Sequence, residues 1–201
     1  MHRYQCENTK VGKLILIVGL PGSGKGTLIA FLRKEFPEVV FPSSWTTRPP
    51  RQGEVEGEGY HFVSKEEFAK AILEGIFLEW VSIDGGHQYG TLKKAIQEPV
   101  KEGKVVLREV EVEGAHRLLA LFPKKNVITI FINTDSWEVL KARMLARAPM
   151  AKEEILARQR RYEREVAFKV EADYVIENPE GQLEEAKKNL ATLVGSLIKG
   201  N

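Results

Sequence analysis

In ILIVGLPGSGKGTLIAFL, residues Ile15–Leu32, three different sequence patterns follow one another, and together they indicate the fold class of this chain. The first residues of this stretch are apolar and partly β-branched, which is typical of a buried parallel strand. A cluster of glycines with one lysine, Lys25, follows, and apolar residues at helical spacing begin directly after it. We therefore predict a strand, a tight loop and a helix in immediate succession.

The loop matches the spacing G-x-x-x-x-G-K, and it lies between a strand and a helix, where phosphate-binding loops occur. Glycines let backbone N–H groups point at phosphate oxygens, the start of the helix favours the same anion, and the lysine would reach the β- and γ-phosphates. A glycine-rich turn that merely ends a strand is the alternative, which the lysine and the helix disfavour. The predicted triphosphate-binding residues are Gly19, Gly22, Ser23, Gly24, Lys25, Gly26 and Thr27.

Strand-like and helix-like segments alternate along most of the chain. This alternation predicts an α/β fold whose main sheet is parallel. Between Phe41 and Lys93 the alternation is replaced by Gly, Pro, Thr, Arg and aromatic residues, and we interpret that part as an inserted lobe. Strands are expected at 13–18, 104–112, 126–133 and 172–179, and helices at 26–36, 136–147, 152–170 and 182–200.

The composition narrows the possible classes of function. With 201 residues, 43% hydrophobic residues and a net charge of +2, the chain shows no bulk signal for a nucleic-acid or membrane-surface partner. Cys6 is the only cysteine, which excludes an intramolecular disulfide and a zinc cage and fits a reducing compartment. No apolar run approaches the roughly 20 residues that span a bilayer, and the first residues lack the apolar core of a secretion signal. We expect a cytoplasmic monomer or small homo-oligomer.

Two later segments carry residues suited to a second, smaller phosphate compound. In SSWTTRPPRQGEVEGEGYHFVS, residues Ser43–Ser64, Arg48 and Arg51 suit a dianionic phosphate because guanidinium groups bind phosphate bidentately. In FLEWVSIDGGHQYGT, residues Phe77–Thr91, Glu79 stands among apolar neighbours. Guanine presents N1–H and its amino group as adjacent donors that one carboxylate accepts. The alternatives are surface charge for the arginines and a solvated strand position for Glu79.

Taken together, these segments resemble the guanylate kinase family from about Lys13 to the C-terminal helix. The pattern S-x-T-T-R-x-P-R-x-G-E-x-x-G-x-x-Y-x-F-V-S fits Ser44–Ser64, and F-L-E-W, Y-G-T and V-I-x-N fit further along. The resemblance implies a P-loop NTPase-type three-layer α/β/α fold with a parallel core sheet, an inserted mixed α/β nucleotide-monophosphate-binding lobe and a helical lid. Within one guanylate kinase-like domain at 1–201, we expect a tail at 1–11, a core at 12–42, 94–135 and 168–200, the lobe at 43–93 and the lid at 136–167.

The resemblance also implies an activity, the phosphorylation of GMP, and of dGMP, by ATP with Mg²⁺. It implies that the guanine base is bound by Ser44, Glu79 and Glu111, with Thr91 assisting. The residues implied for the GMP phosphate are Arg48, Arg51, Tyr60 and Tyr89, and those implied for catalysis are Lys25, Arg48, Arg143, Arg147 and Arg158. Mg²⁺ is expected near Thr27 and Glu109, and Asn178 is expected near the adenine side.

The helical lid is supported by spacing as well as by the resemblance. Arg143 and Arg147 are four residues apart and so share one face of a helix. The other arginines of this region are interpreted as a solvated basic face with partners such as Glu163 and Glu165. This second group consists of Arg160, Arg161 and Arg164.

The chain departs from the family pattern in REVEVEGA, where Asp-x-Asp-x-Gln-Gly is usual. Glu109, Glu111 and Glu113 are longer or newly charged, and one extra methylene moves a carboxylate by roughly 1.5 Å. Such a shift affects rate or acceptor choice because positioning supplies much of catalysis. Arg108 is a candidate partner for one of these acids, and Trp45 is a candidate for reshaping the base pocket.

Three alternative functions stay open at this point. A related small-molecule kinase with a shifted acceptor is disfavoured by the complete segment from Thr46 to Tyr60. A non-catalytic guanylate-kinase-like module that binds phosphopeptides is disfavoured by the intact Gly24-Lys25 pair. An adenylate-type kinase rests on the phosphate loop alone, which is too widely shared to support it. No chemistry is assigned to His61, His87 or His116.

Overall fold

Two four-stranded sheets organise the chain in a computed structural model that describes residues 11–20, 22–51, 53–83, 86–147 and 149–200. Of Ile83, Arg143 and Arg147 only the backbone is described. Most of the expected N-terminal tail therefore lies outside the described residues, as does Cys6. None of the helices in the described ranges combines the length and the apolar character that a bilayer crossing requires.

Strands and helices alternate along the described chain, as the sequence predicts. The strands are β1 (Lys13–Gly19), β2 (Ser44–Thr46), β3 (Tyr60–Phe62), β4 (Phe77–Ile83), β5 (His87–Leu92), β6 (Val105–Glu109), β7 (Val127–Asn133) and β8 (Tyr174–Glu177). The helices are α1 (Lys25–Glu35), α2 (Lys65–Leu73), α3 (Lys93–Lys101), α4 (Val112–Leu121), α5 (Trp137–Arg147), α6 (Lys152–Phe168) and α7 (Leu183–Lys199), with a 3₁₀ turn at Lys124–Asn126.

The first sheet is parallel, with the strand order β6-β1-β7-β8. Its central strand β1 is buried on both faces because alternate side chains enter two apolar clusters. Leu14 and Leu16 pack with residues of α3, α4 and α6, whereas Ile15 and Ile17 pack with residues of α1 and α7. Helices thus cover both faces of the sheet, which confirms the predicted three-layer α/β fold.

The second sheet is mixed, has the order β3-β2-β5-β4 and lies between α1 and α3 in the sequence. Its small apolar core contains Phe68 of α2 and Phe77 of β4. Trp45 packs against this core with its ring 5.8 Å from that of Phe77. Because neighbouring residues of a strand point to opposite faces, Trp45 faces away from Ser44. The expectation that Trp45 reshapes the base pocket is therefore wrong.

The largest difference from the predicted elements lies after β6. The alternation of valine and glutamate predicts a strand as far as Val112, but β6 ends at Glu109 and Val112 is the first residue of α4. Val110 makes the last bond to the sheet, from its N–H to the oxygen of Ile17. Glu111 then occupies the N-cap of α4. The acidic cluster formed by Glu109, Glu111 and Glu113 therefore lies at the carboxyl end of a strand and the start of a helix.

Candidate active site

A cleft of about 1140 Å³ opens between the parallel sheet, the mixed sheet and helix α6. It lies beyond the carboxyl ends of β1 and β6, which is where ligands bind in open parallel sheets. Its wall is strongly charged. The charged residues that line it are Lys25, Arg48, Arg51, Glu79, Arg108, Glu109, Glu111, Glu154, Arg158 and Arg161.

The predicted phosphate loop follows β1 and ends at Gly24, the N-cap of α1. Gly24 has φ +84°, and a Cβ placed on it would lie 2.6 Å from Nδ2 of Asn178, so only glycine fits there. Asn178 donates a hydrogen bond of 2.6 Å from this Nδ2 to the oxygen of Ser23. The structure therefore places Asn178 against the loop, as a residue that fixes the loop's shape.

Lys25 begins α1 and points back over the loop. Its Nζ donates to the carbonyl oxygens of Gly19 at 2.6 Å and Leu20 at 2.9 Å, and it lies 3.8 Å from Oε1 of Glu109. The lysine is only 8% exposed. Of the predicted loop residues, Gly22 and Lys25 line the cleft. The ammonium group is thus available at the floor of the cleft, beside a carboxylate at the end of β6.

Arg48 is fixed by a carboxylate that the sequence analysis did not single out. Both terminal nitrogens of Arg48 donate to Glu54 at 2.6 Å, and its guanidinium lies 4.8 Å from the centre of the Tyr60 ring. Glu54 also accepts from the backbone N–H of Arg51 at 2.7 Å. These bonds raise the pKa of Arg48 and hold the pKa of Glu54 below its ordinary value. The signal for Glu54 was its place in the R-x-G-E part of the quoted pattern.

The other residues assigned to the acceptor phosphate lie next to Arg48. The rings of Tyr60 and Tyr89 contact each other at 6.0 Å, and both side chains line the cleft together with Arg51. Burial raises the pKa of Tyr60, so its hydroxyl stays protonated and remains a hydrogen-bond donor. The structure thus brings all four residues of this group together.

We expect Glu54→Gln to destabilise the protein by about 1–3 kcal/mol at pH 7, because one charged hydrogen-bonded pair is lost. The folded-state pKa of Glu54 is depressed, so its contribution to stability is present above the ordinary pKa near 4.5 and is lost as pH falls through the folded-state value. Urea unfolding of wild type and variant at pH 7, 5 and 4 measures this difference.

Glu58→Gln is the matched control, since Glu58 is an exposed glutamate of the same loop. A stability difference between wild type and Glu54→Gln that is absent at pH 7, or that stays constant as pH falls, would contradict the assigned role of the pair.

Glu79 is buried at the foot of the cleft, with 7% of its surface exposed. The hydroxyl of Thr91 donates to Oε1 of Glu79, and Nη2 of Arg108 lies 3.7 Å from the same oxygen. Arg108 also donates from Nη2 to Oγ of Ser44 at 3.1 Å. A Cβ on Gly114 would lie only 3.2 Å from Oε2 of Glu79, so the helix backbone closes the pocket from one side.

The structure bears on three expectations about this pocket. The burial of Glu79 excludes the solvated strand position that was its alternative interpretation. Thr91 has no exposed surface and touches Glu79, so it orients the carboxylate. Among the described residues, Arg108 forms an ion pair with Glu79 of the mixed sheet, whereas a partner was expected among Glu109, Glu111 and Glu113.

Arg161 connects helix α6 to the start of α4. It pairs with Glu165 at 2.7 Å, a partner that the sequence predicts, but it also pairs with Glu111 and lines the cleft, which differs from the solvated face expected for it. Burial raises the pKa of Glu165 to about 7, and Arg161 opposes this shift. Arg160 and Arg164 are exposed, in agreement with the solvated face predicted for them.

The remaining lid arginines are described unequally. Arg158 lines the cleft and donates from Nη2 to Oε1 of Glu154 at 2.8 Å. Arg143 and Arg147 lie on α5, four residues apart as predicted, but their side chains fall outside the described part of the structure. Of the histidines, His87 lines the cleft. His61 and His116 pair with Glu56 and Glu171, away from it.

The residues assigned to Mg²⁺ offer only part of a metal site. Among the described side chains, no group of three histidines, cysteines or carboxylates is arranged to hold a metal ion. Glu109 offers a carboxylate at the cleft, and Thr27 is exposed on the first turn of α1. This set fits an ion that takes most of its ligands from phosphate oxygens and water, as Mg²⁺ commonly does.

The phosphate loop and the arginine and carboxylate pockets face each other across the cleft from two different sheets. A donor site and an acceptor site separated in this way define a P-loop kinase that acts on a nucleotide. Comparison with known proteins identifies the family. The guanylate kinase family model matches residues 11–197, and the chain belongs to this family.

Individual relatives agree with this assignment. The chain is 38% identical over 185 residues to the guanylate kinase of Helicobacter pylori, covering 92% of this chain and 87% of that protein. It is 41% identical over 172 residues to the guanylate kinase of a Nostoc species, covering 86% and 85% of the two chains. The crystal structure of guanylate kinase from Anaplasma phagocytophilum is similar with a TM-score of 0.71 at 25% identity, over 94% of this chain and 87% of that one.

Proposed function

We propose that this protein transfers the γ-phosphoryl group of ATP to GMP, with dGMP as a second acceptor, and releases ADP and GDP or dGDP. The observation that carries the proposal is the buried carboxylate of Glu79, which lies in the same cleft as Arg48 and the phosphate-loop residue Lys25. A buried carboxylate requires donors, and guanine supplies two adjacent ones.

The two sides of the cleft have separate tasks in this proposal. The phosphate loop and Lys25 bind the ATP phosphates, and the lid arginines, Arg158 among them, contact the transferring group. On the mixed sheet, Arg48, already oriented by Glu54, binds the GMP phosphate together with the neighbouring residues of its group. Ser44 and Glu79 face the base, and Glu111 joins them when Arg161 moves away from it.

Phosphoryl transfer asks for little covalent chemistry from the protein, so positioning and charge stabilisation supply the rate. An arginine that stabilises the transferring group is worth about 10³–10⁵ in rate in related systems. When bound with ATP, Mg²⁺ neutralises charge on the phosphate oxygens, and Glu109 and Thr27 are the residues that would hold it.

We further propose that the segments 43–93 and 136–167 move as a lobe and a lid relative to the rest of the chain. Closure of the two excludes water, which would otherwise accept the phosphoryl group. The bond of Arg161 to Glu111 connects the proposed lid to the core and is a contact that such a motion has to rearrange. The single cysteine and the small-molecule substrates favour a cytoplasmic enzyme.

An ADP-release assay with ATP and Mg²⁺ tests the proposal when GMP, dGMP, IMP, AMP, CMP and UMP are offered in turn. We expect the highest kcat/KM with GMP and a lower value with dGMP. Higher turnover with a non-guanine acceptor would favour a kinase with a shifted acceptor, and ATP binding without turnover of any acceptor would favour a non-catalytic binding module.

A further inference from the structure

Arg108 is a buried cation in the base pocket that the proposed mechanism does not use. It belongs to β6, it is 5% exposed, and it lies between Ser44 of β2 and Glu79 of β4. Burial lowers the pKa of Arg108 and the carboxylate of Glu79 opposes the shift, and a guanidinium keeps its charge in proteins. The pocket therefore contains a cation and an anion side by side.

The guanidinium has more donors than the protein has acceptors for it. Nη2 carries the contacts to Ser44 and Glu79, whereas Nε and Nη1 are buried and have no hydrogen-bond partner among the described residues. An unsatisfied buried donor is costly, and buried polar groups normally find a partner. Arg108 lines the cleft, so a ligand bound there lies beside a guanidinium whose donors are not all used.

We propose that Arg108 recognises the carbonyl oxygen at C6 of the acceptor base and so makes the enzyme selective for 6-oxopurine nucleotides over 6-aminopurine nucleotides. This inference rests on the proposed function, since it concerns the acceptor of that same reaction. It names a specificity residue on a different strand from Glu79 and Ser44.

The chemistry of the base edge supports the pairing. On guanine, the O6 acceptor is adjacent to the N1–H donor, which in turn is adjacent to the amino group. A carboxylate that accepts from the two donors has O6 next to it, and Nη2 of Arg108 lies 3.7 Å from Oε1 of Glu79. Arginine is the side chain that most often binds guanine O6 in nucleic-acid recognition. A 6-amino group would instead place a hydrogen-bond donor opposite the donors of Arg108.

The test combines a protein change with a change of substrate. We expect Arg108→Met to lower the ratio of kcat/KM for GMP to kcat/KM for 2,6-diaminopurine ribonucleoside monophosphate by about 5- to 150-fold, the range of one arginine–base contact. The second nucleotide keeps the 2-amino group, replaces O6 by an amino group and lacks the N1–H donor of guanine. Damage to Glu79 would therefore lower this ratio as well, and the ratio of GMP to inosine monophosphate reports such damage separately, because only GMP offers the 2-amino group to Glu79.

Inosine monophosphate provides an internal control, because it keeps O6 and lacks the 2-amino group. The ratio of GMP to IMP is expected to stay within about twofold in Arg108→Met, since both acceptors carry the group that Arg108 reads. Arg160→Met is the matched control variant, since Arg160 is an exposed arginine of α6. It should leave all three acceptors unchanged.

The outcomes separate the two proposals. If wild type phosphorylates GMP but Arg108→Met leaves the GMP to diaminopurine ratio unchanged, this inference is overturned and the proposed function stands. If wild type phosphorylates none of the acceptors, both are overturned. Should Arg108→Met fail to fold, Arg108→Gln keeps a polar group next to Glu79, and its amide can accept from a 6-amino group as well as donate to O6. A ratio equal to that of wild type in this second variant also overturns the inference.

Discussion

Replacing Lys25 with alanine is expected to lower kcat for phosphoryl transfer to GMP by about 10²–10³-fold or more, the cost of removing one preorganised donor from a transition state. Lys25 is the cation that the phosphate loop holds at the floor of the cleft, 2.6 Å from the Gly19 oxygen and 3.8 Å from Glu109. In the variant, nothing replaces Lys25 in stabilising the charge that develops on the transferring group, because alanine offers neither a charge nor a hydrogen-bond donor.

Steady-state kinetics with saturating ATP and GMP measure this loss, and thermal unfolding shows whether the fold is kept. Lys34→Ala is the control, because Lys34 is an exposed lysine on the same helix α1. A Lys25→Ala protein with a kcat near that of wild type would refute the assignment of the phosphate loop. A well-folded, inactive protein supports it.

Replacing Glu79 with glutamine is expected to lower kcat/KM for GMP by about 10²-fold or more, while KM for ATP stays unchanged. The carboxylate accepts two hydrogen bonds from the base in the proposed complex, and charged hydrogen bonds are worth about 1.5–3 kcal/mol each. Glutamine turns one acceptor into a donor that faces a donor of guanine. It also leaves the Arg108 charge without its carboxylate, which adds to the loss.

Glu74→Gln is the control for this change, since Glu74 is an exposed glutamate in the mixed-sheet region whose side chain forms a surface ion pair with Lys70. Titration of GMP at fixed ATP, and of ATP at fixed GMP, separates the two substrates. Equal loss toward ATP and GMP would indicate general damage to the cleft, and an unchanged GMP value would remove Glu79 from base recognition.

The central strand, the loop and α1 were predictable because they follow each other in sequence and depend on local patterns. The carboxyl end of β6 was not predictable. The alternation of valine and glutamate up to Val112 is compatible with a strand that continues to Val112, and it is equally compatible with the observed strand that ends at Glu109 and is followed by a helix. The choice is made by tertiary contacts. Val110 still bonds to the oxygen of Ile17, and the next residue, Glu111, caps α4 instead of extending the sheet.

In the candidate site, the residues within contiguous motifs were found and their long-range partners were missed. Glu54 lies six residues from Arg48 within the same motif, so this pair was accessible to sequence analysis. Arg108 lies 64 residues from Ser44, and Arg161 lies 50 residues from Glu111. Sequence spacing gives no sign of such pairs, because each depends on how β6 and α6 are placed against other elements.

The roles assigned to the residues of this cleft all depend on transfer of the γ-phosphoryl group from ATP to GMP. Phosphorus NMR of the full chain with ATP, Mg²⁺ and GMP observes this transfer, because it follows every phosphorus nucleus at once. We expect the GMP signal to be replaced by the two signals of GDP as ADP appears in equal amount. Release of inorganic phosphate with GMP left intact, or no change in any signal, would contradict it.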